Sequence, residues 1–322
     1  MNIKECAKPL QLLKLEALDK RIPIEHVKHK IIIGSLVRYR AGFKGEQSIN
    51  YYLSLLPPEH YLFFHNVRLY DGSHYFQIDT LILTKHYLLI LEVKNIAGTI
   101  VFNHVTKQLV RMINEKEEAF KYPIIQNEAQ LAHMKKWLKL HKLPSIPVEG
   151  LVVIANENTV IKTSDQSPHF SDEVVPSPAL PDQIRKLDKK YQSVKKSKKV
   201  LEKLSQKILA QNSELDQNIL NQFEITKEDL ITGVQCQGCT NYSMVRIDRM
   251  WKCSHCEIQS KDAHVSALLD YSLLISPTIS NREARQFLQI SSPDIAKRIL
   301  SKYPVAESGR TCNRRYILRP HI

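Results

Sequence analysis

The chain has 322 residues, with 46 Lys and Arg against 33 Asp and Glu and a formal net charge of +13. That length suggests two or three domains, and a composition 43% hydrophobic and 25% charged excludes wholesale disorder. No apolar run reaches the ~18–20 residues of a membrane span, and MNIKECAKPLQLLKLEALDK lacks the apolar core of a secretory signal. A cytoplasmic protein without a membrane partner is therefore expected. The positive excess favours a polyanion, because Lys and Arg contacts to phosphates release counterions.

Residues 1–30 read as an amphipathic helical segment, with Leu10, Leu13, Leu15 and Leu18 among Lys and Glu, interrupted at Pro23. Gly42 and Gly45 then precede a helical pattern of Ile49, Tyr52, Leu53 and Leu56, which Pro57-Pro58 stops. From Tyr61 the period becomes that of strands. YLFFHNVRL, YFQIDTLILT and YLLILEVKN are three β-rich runs, the last two apolar on both faces as central strands are. A helix at about Ile124–Leu140 and a buried strand in VEGLVVIAN follow, which together describe a mixed-sheet α/β domain.

Thr163–Asp182 is rich in Ser and Pro and reads as a loop containing the β-like stretch Glu173-Val174-Val175. From Pro181 a basic helical segment runs to about residue 209, and the Lys195–Lys199 run reads as a solvated helix face. The expected organisation is a helical extension over 1–37, an α/β domain over 38–205 and a helical linker over 206–230. A cysteine module over 231–260 and a basic helix-turn-helix-like segment over 261–322 complete it.

The acidic residues of the strands carry the strongest chemical signal. Side chains alternate along a strand, so Glu92 and Lys94 share a face. A two-residue loop at Lys85-His86 would pair Thr84 with Tyr87, and the same register sets Asp79 opposite Glu92 and Gln77 opposite Lys94. Two carboxylates so close repel unless a divalent, oxygen-binding cation neutralises them. Lys94 beside them would orient an attacking water or stabilise charge developing on phosphorus, the apparatus of metal-assisted phosphodiester hydrolysis. Glu46, at the start of a helix after Gly45, offers a third carboxylate, and Gln126 can hold the water or a ligating carboxylate. The competing reading is an ion-pair cluster at a sheet end, with Glu46 complementing a helix dipole.

Gly45-Glu46, Gln77-Ile78-Asp79, Glu92-Val93-Lys94-Asn95 and Pro123-x-x-Gln126 together resemble the nuclease-related domain, NERD, over approximately residues 38–155. That family belongs to the PD-(D/E)XK restriction-endonuclease-like nucleases, although Ile78-Asp79 stands here where the superfamily has Pro-Asp. The resemblance implies a restriction-endonuclease-like mixed sheet flanked by helices and a metal-dependent nuclease. Asp79 and Glu92 would ligate Mg²⁺ or Mn²⁺, Lys94 would be the catalytic lysine, and Glu46 and Gln126 the helical accessory residues. The expected substrate is DNA. The alternative is a catalytically inactive nuclease fold that serves as a nucleic-acid-binding or regulatory scaffold.

Four of six cysteines form C-x2-C-x13-C-x2-C: Cys236, Cys239, Cys253 and Cys256, with Cys6 and Cys312 apart. Two such knuckles joined by a β-compatible spacer, with Trp251 covering them, predict a zinc ribbon in which Zn²⁺ is structural. Beyond it, Asn281 is read as the cap of one helix, Ile290-Ser291-Ser292 as a turn, and Ile295–Leu300 as part of a second helix. Arg310–Leu318 is a candidate β-ribbon. The segment looks like a helix-turn-helix, winged if the ribbon forms, with Arg282, Lys297, Arg298 and Lys302 facing a groove and Arg314, Arg315 and Arg319 facing phosphates. A small helical cap with a solvated basic face fits the same pattern. Motifs of P-loop, zincin and serine-hydrolase chemistry are missing from the chain.

Overall fold

The computed structural model describes residues 1–164, 170–302, 307–308 and 314–318. By contacts the chain forms two units, Met1–Pro9 with Tyr39–Leu215, and Leu10–Arg38 with Asp216–Ile322. Strand β1 (Asn2–Lys4) therefore belongs to the first unit and helix α1 (Leu10–Arg21) to the second. Among the described residues no helix is long and apolar enough to cross a membrane.

Helix α2 (His29–Ser54) corrects the sequence reading, because Gly42 and Gly45 lie inside it rather than before it. Interior glycine normally weakens a helix, and Gly45 has a packing reason described below. Strands β2 (Leu62–Tyr70), β3 (Tyr75–Leu83) and β4 (Leu88–Lys94) follow as an antiparallel meander. A second meander comes next: β5 (Thr99–Asn103), β6 (Gln108–Ile113) and β7 (Lys116–Lys121). The sequence pattern did not announce it, because KEEAFK in β7 is almost wholly exposed and carries no buried alternation.

Pro123 opens α3 (Pro123–Leu140), where its missing N–H costs nothing and its fixed φ suits the first turn. Next come β8 (Val148–Ile154), β9 (Val160–Thr163), the short α4 (Phe170–Glu173) and β10 (Val174–Pro176). The basic stretch from Pro181 is two helices, α5 (Leu180–Lys190) and α6 (Lys198–Gln211), not one. Between them the Lys196 N–H leaves the helical pattern to donate to Lys85 O at 2.8 Å.

The main sheet runs β1-β2-β3-β4-β8-β10, with β1, β8 and β10 joined in parallel and the β2–β4 meander antiparallel. It is a mixed α/β fold with helices on both faces. On one face Ile82, Leu89, Leu91 and Val153 meet Ile49 and Leu53 of α2 and Leu180 and Ile184 of α5. On the other, Leu81, Leu83 and Ile90 meet Met134 and Trp137 of α3 and Leu204 and Ile208 of α6. The apolar run Leu88–Leu91 is buried throughout because both faces are covered. A second sheet, β7-β6-β5-β9, shares a core of Ile100, Phe102 and Leu109 with Val152 and Ile154.

In the second unit α7 (Ile219–Phe223) precedes a three-stranded sheet of β11 (Met244–Ile247), β12 (Met250–Cys253) and β13 (Gln259–Ser260). Then come α8 (His264–Leu274), β14 (Thr278–Ser280), α9 (Asn281–Leu288) and α10 (Pro293–Lys302). Strands β15 (Glu307–Ser308) and β16 (Arg315–Ile317) complete a sheet ordered β14-β16-β15. The cap of α9 is Ser280, which forms a capping box with Glu283, and Asn281 is the first helical residue. One core joins these parts, from Cys236, Cys253 and Trp251 to Tyr271, Phe287, Leu300 and Tyr316.

Candidate active site

The β3–β4 hairpin has the register that its two-residue loop dictates. Thr84 N–H donates to Tyr87 O at 3.0 Å, and Leu83 pairs Leu88, Ile82 pairs Leu89 and Thr80 pairs Leu91. One step beyond the ladder, Asp79 stands level with Glu92. Asp79 Oδ2 there accepts the Val93 N–H at 2.8 Å, so a carboxylate takes the place of a ladder carbonyl. Lys94 Nζ donates to Glu92 Oε1 at 2.6 Å and to Gln126 Oε1 at 3.1 Å. Asp79, Glu92, Lys94 and Gln126 thus meet where the hairpin opens towards the start of α3.

Two glycines let helices come this close. A Cβ on Gly45 would lie 2.6 Å from Asn95 Cβ, so α2 can press against the end of β4 only with hydrogen at that position. Asn95 Nδ2 donates to Ala41 O at 2.7 Å and ties the same helix turn down. Glu46 is carried in by this contact from well inside α2, so an interaction with a helix dipole at the first turn does not apply to it. Its Oε2 accepts Asn66 Nδ2 at 3.0 Å. Asn66 itself sits at φ 51° in the middle of β2, an αL conformation that Asn tolerates better than most residues. On α3, Asn127 crowds Gly150 so closely that a Cβ there would overlap its side chain.

A residue outside the sequence motifs completes the arrangement. Gln130 Nε2 donates to Glu92 Oε2 at 2.7 Å and to Gln77 O at 2.9 Å, holding the buried Glu92 carboxylate from the side opposite Lys94. Gln126 and Gln130 are one helical turn apart and share a face, and that spacing was the available signal. Each Glu92 oxygen accepts one hydrogen bond and keeps a further lone pair for another ligand.

The charges are strained in the way an ion-binding site is. Burial, together with the Glu92 and Glu46 carboxylates, holds the Asp79 carboxyl well above the usual range. Burial likewise raises Glu46 to about 7, with Glu92 adding to it and Asn66 opposing. Lys94 lies beside Glu92 and Asp79, and Lys4 acts on Glu46; carboxylates of this kind are hard oxygen donors that could hold Mg²⁺ or Mn²⁺. Asp79 and Glu92 are the pair best placed to hold such an ion. Among the described residues, the close cluster of metal-ligating side chains is the four-cysteine group.

The cysteine group is tighter. All four sulfurs lie within 4.8 Å of one another, with Cys236 Sγ 3.5 Å from Cys256 Sγ and Cys239 Sγ 3.6 Å from Cys253 Sγ. A tetrahedral Zn²⁺ with bonds of ~2.3 Å sets sulfurs about 3.8 Å apart, so the cluster can hold zinc. N–H groups of Gly238, His255 and Cys256 point at Cys236 and Cys253 sulfurs at 3.4 Å. Ser243 Oγ, 3.1 Å from Cys253 Sγ, is the main cause that pulls this thiol down to about 5. The β11–β12 hairpin joins the knuckles, and the buried Trp251 packs in the core that contains Cys236 and Cys253.

Of the basic residues singled out in the C-terminal segment, Lys297, Arg298 and Lys302 are exposed on α10 and Arg282 on α9. Arg314 is half-buried. Arg315 is engaged within the fold, donating to Thr278 Oγ1 at 3.0 Å and to Glu283 Oε2 at 3.0 Å. Arg319 lies outside the described residues.

Comparison with known proteins gives a match over one stretch. Residues 41–155 match the family model of the nuclease-related domain, and Glu46, Asp79, Glu92, Lys94 and Gln126 fall within that stretch. Neither the curated proteins nor the solved structures give a match.

Proposed function

We propose that the nuclease-related domain over residues 41–155 is a metal-dependent nuclease that hydrolyses phosphodiester bonds of DNA. The observation that carries this reading is the meeting of Asp79, Glu92, Lys94 and Gln126 at the open end of one hairpin. Asp79 and Glu92 would hold Mg²⁺ or Mn²⁺, and Glu46 lies close enough to raise the local negative charge further. A cation held there would neutralise these acids, acidify water and screen the phosphate. Lys94 Nζ, already bridging Glu92 and Gln126, orients the water and faces the charge that builds on the phosphorane oxygens. Water adds to phosphorus, the ester P–O bond breaks, and the two protons of water end on the departing sugar oxygen and in solvent. Gln130 fixes Glu92 and acts as a positioning residue.

The C-terminal parts fit the role of holding the substrate. The order α8, β14, α9, α10, β15, β16 with a β14-β16-β15 sheet is compatible with a winged helix-turn-helix reading, and α10 exposes Lys297, Arg298 and Lys302. Cys236, Cys239, Cys253 and Cys256 would hold a structural Zn²⁺ that would fix the hairpin before it.

Supercoiled and linear DNA incubated with Mg²⁺ or Mn²⁺ should be cut, and a chelator should stop the cutting. Lys94→Ala should lower the rate about 10²–10³-fold, as removal of a transition-state donor does, with an unchanged melting curve. Equal rates in Lys94→Ala and wild type would overturn the mechanism. A scaffold without activity is the second reading, favoured by the hydrogen bonds that Lys94 and Gln130 already make to the two Glu92 oxygens. It predicts DNA binding with no cleavage in any divalent metal.

A further inference from the structure

A second concentration of charge lies in the C-terminal unit. A groove of about 510 Å³ runs between the cysteine-bound hairpin and α10, lined by Arg246, Arg249 and Lys261 on one wall and Arg298 and Lys302 on the other. Asp248 is the one carboxylate of its lining, and none of the five cations has an ion pair among the described residues. Like charges held together without counter-acids cost free energy, which an arriving anion recovers.

The walls are built features rather than stray surface lysines. The two-residue turn Asp248-Arg249, with Asp248 at φ 51°, puts Arg249 at the hairpin tip. Arg246 lies with its guanidinium carbon 5.4 Å from the centre of the Trp251 ring, and among the described residues its buried Nε has no hydrogen-bond partner. Burial and nearby Arg298 both weaken its hold on its proton, and both side chains line the groove. Trp251 Nε1 donates to His264 Nδ1 at 3.0 Å, which leaves the His264 proton on Nε2, and burial keeps this ring neutral with a pKa of about 4. The groove thus offers several cations and one neutral donor, all anchored to the core that the cysteines complete.

We propose that the tip of the cysteine-bound hairpin and α10 form one composite groove that grips the phosphate backbone of duplex DNA. This rests on the nucleic-acid reading above and adds the ribbon to it as a contact surface, with Arg249 and Lys261 as contacts that the helix-turn-helix pattern does not contain. Five cations on two walls exceed what a single small anion requires. The apolar lining is Met250, Ile295 and Ile299, and no Phe, Tyr or Trp is present there for bases to stack on. Single strands are held by stacking platforms, so this lining suits the outside of a duplex.

The test is fluorescence anisotropy with a short labelled duplex, using full-length protein without added divalent metal and without chelator. Arg249 and Lys261 are both exposed, so their replacement leaves the core intact. Arg249→Ala/Lys261→Ala should weaken binding about tenfold and make the plot of log affinity against log salt shallower by about two, since each lost phosphate contact removes ~0.9 from the slope. Lys195→Ala/Lys199→Ala, which removes as much charge from the other unit, should leave both within twofold. An unchanged slope and affinity in Arg249→Ala/Lys261→Ala, or tighter binding of single strands than of duplex, would overturn the groove. Failure there with metal-dependent cutting retained would leave the nuclease reading standing. Groove-dependent binding without cutting would sink the nuclease reading alone.

Discussion

The two candidate metal centres of this chain are opposites in construction. Four sulfurs come from twenty-one consecutive residues, Cys236 to Cys256, and close on one another within 4.8 Å. The carboxylate site draws Glu46, Asp79, Glu92, Lys94 and Gln126 from two helices and two strands. A closed set of four ligands leaves zinc no position for chemistry, whereas carboxylates with spare lone pairs leave room for water and substrate. The first centre stabilises its surroundings when metal binds. The second stores repulsion that its surroundings must bear.

The largest effect expected from this difference is on the cysteine side. Purified protein should contain one zinc per chain, and Cys253→Ser or prolonged chelation should unfold the C-terminal unit. Structural zinc sites are worth roughly 10–16 kcal/mol to small modules, and here the sulfurs sit in the same core as Trp251 and Phe287. Loss of the near-ultraviolet signal of Trp251, with the nuclease-related domain still folded, would match this. A zinc-free chain with that signal intact would break the comparison at its first term.

The same contrast explains what the sequence could reveal. The cysteine spacing is local and needed no fold to interpret. The hairpin register was legible too, because Lys85-His86 fixes Thr84 against Tyr87 and everything above follows. Glu46 was found, but its setting was misread. Gly42 and Gly45 look like helix breakers in one dimension, while Gly45 inside α2 is the contact that Asn95 requires in three. Gln130 escaped because its partner, Glu92, is reached only after α3 packs across the sheet. The β5–β7 meander escaped because an exposed charged strand lacks the alternation that betrays a buried one. Nor does chain order reveal that residues Leu10–Arg38 belong with the C-terminal unit; there buried Arg21 reaches Asp270 at 2.9 Å and Gly233 O at 2.8 Å.

A smaller effect tests the stored repulsion. Glu46 rises from its ordinary 4.5 to about 7 in the folded chain, chiefly through burial. The folded state therefore holds this proton more firmly than the unfolded one, and stability falls as pH rises from 4.5 through 7. Without metal, the penalty at full ionisation is roughly 3 kcal/mol. The urea midpoint of the nuclease-related domain should be lower at pH 8 than at pH 5, Mg²⁺ should restore part of the loss at pH 8, and Glu46→Gln should flatten the difference. If Glu46→Gln and wild type keep parallel pH profiles, the acids do not repel as described.

The smallest effects come from the two glycines of α2, and they separate packing from propensity. Both occupy interior helical positions where alanine is intrinsically better by ~1 kcal/mol. A Cβ at Gly42 meets nothing within 4 Å, so Gly42→Ala should stabilise by up to that amount. At Gly45 the added carbon would lie 2.6 Å from Asn95 Cβ, a side chain itself tied to Ala41 O, and neither partner can retreat without moving helix or strand. Overpacking of this kind costs about 1–3 kcal/mol, so Gly45→Ala should destabilise despite its better propensity. It should also displace Glu46, the next residue, from Asn66 and reduce metal-dependent cutting, which Gly42→Ala should leave alone. Equal and opposite-to-expected shifts in the two variants would mean that α2 does not press on the end of β4, and the acids would then lack the contact that brings the helix to the strands.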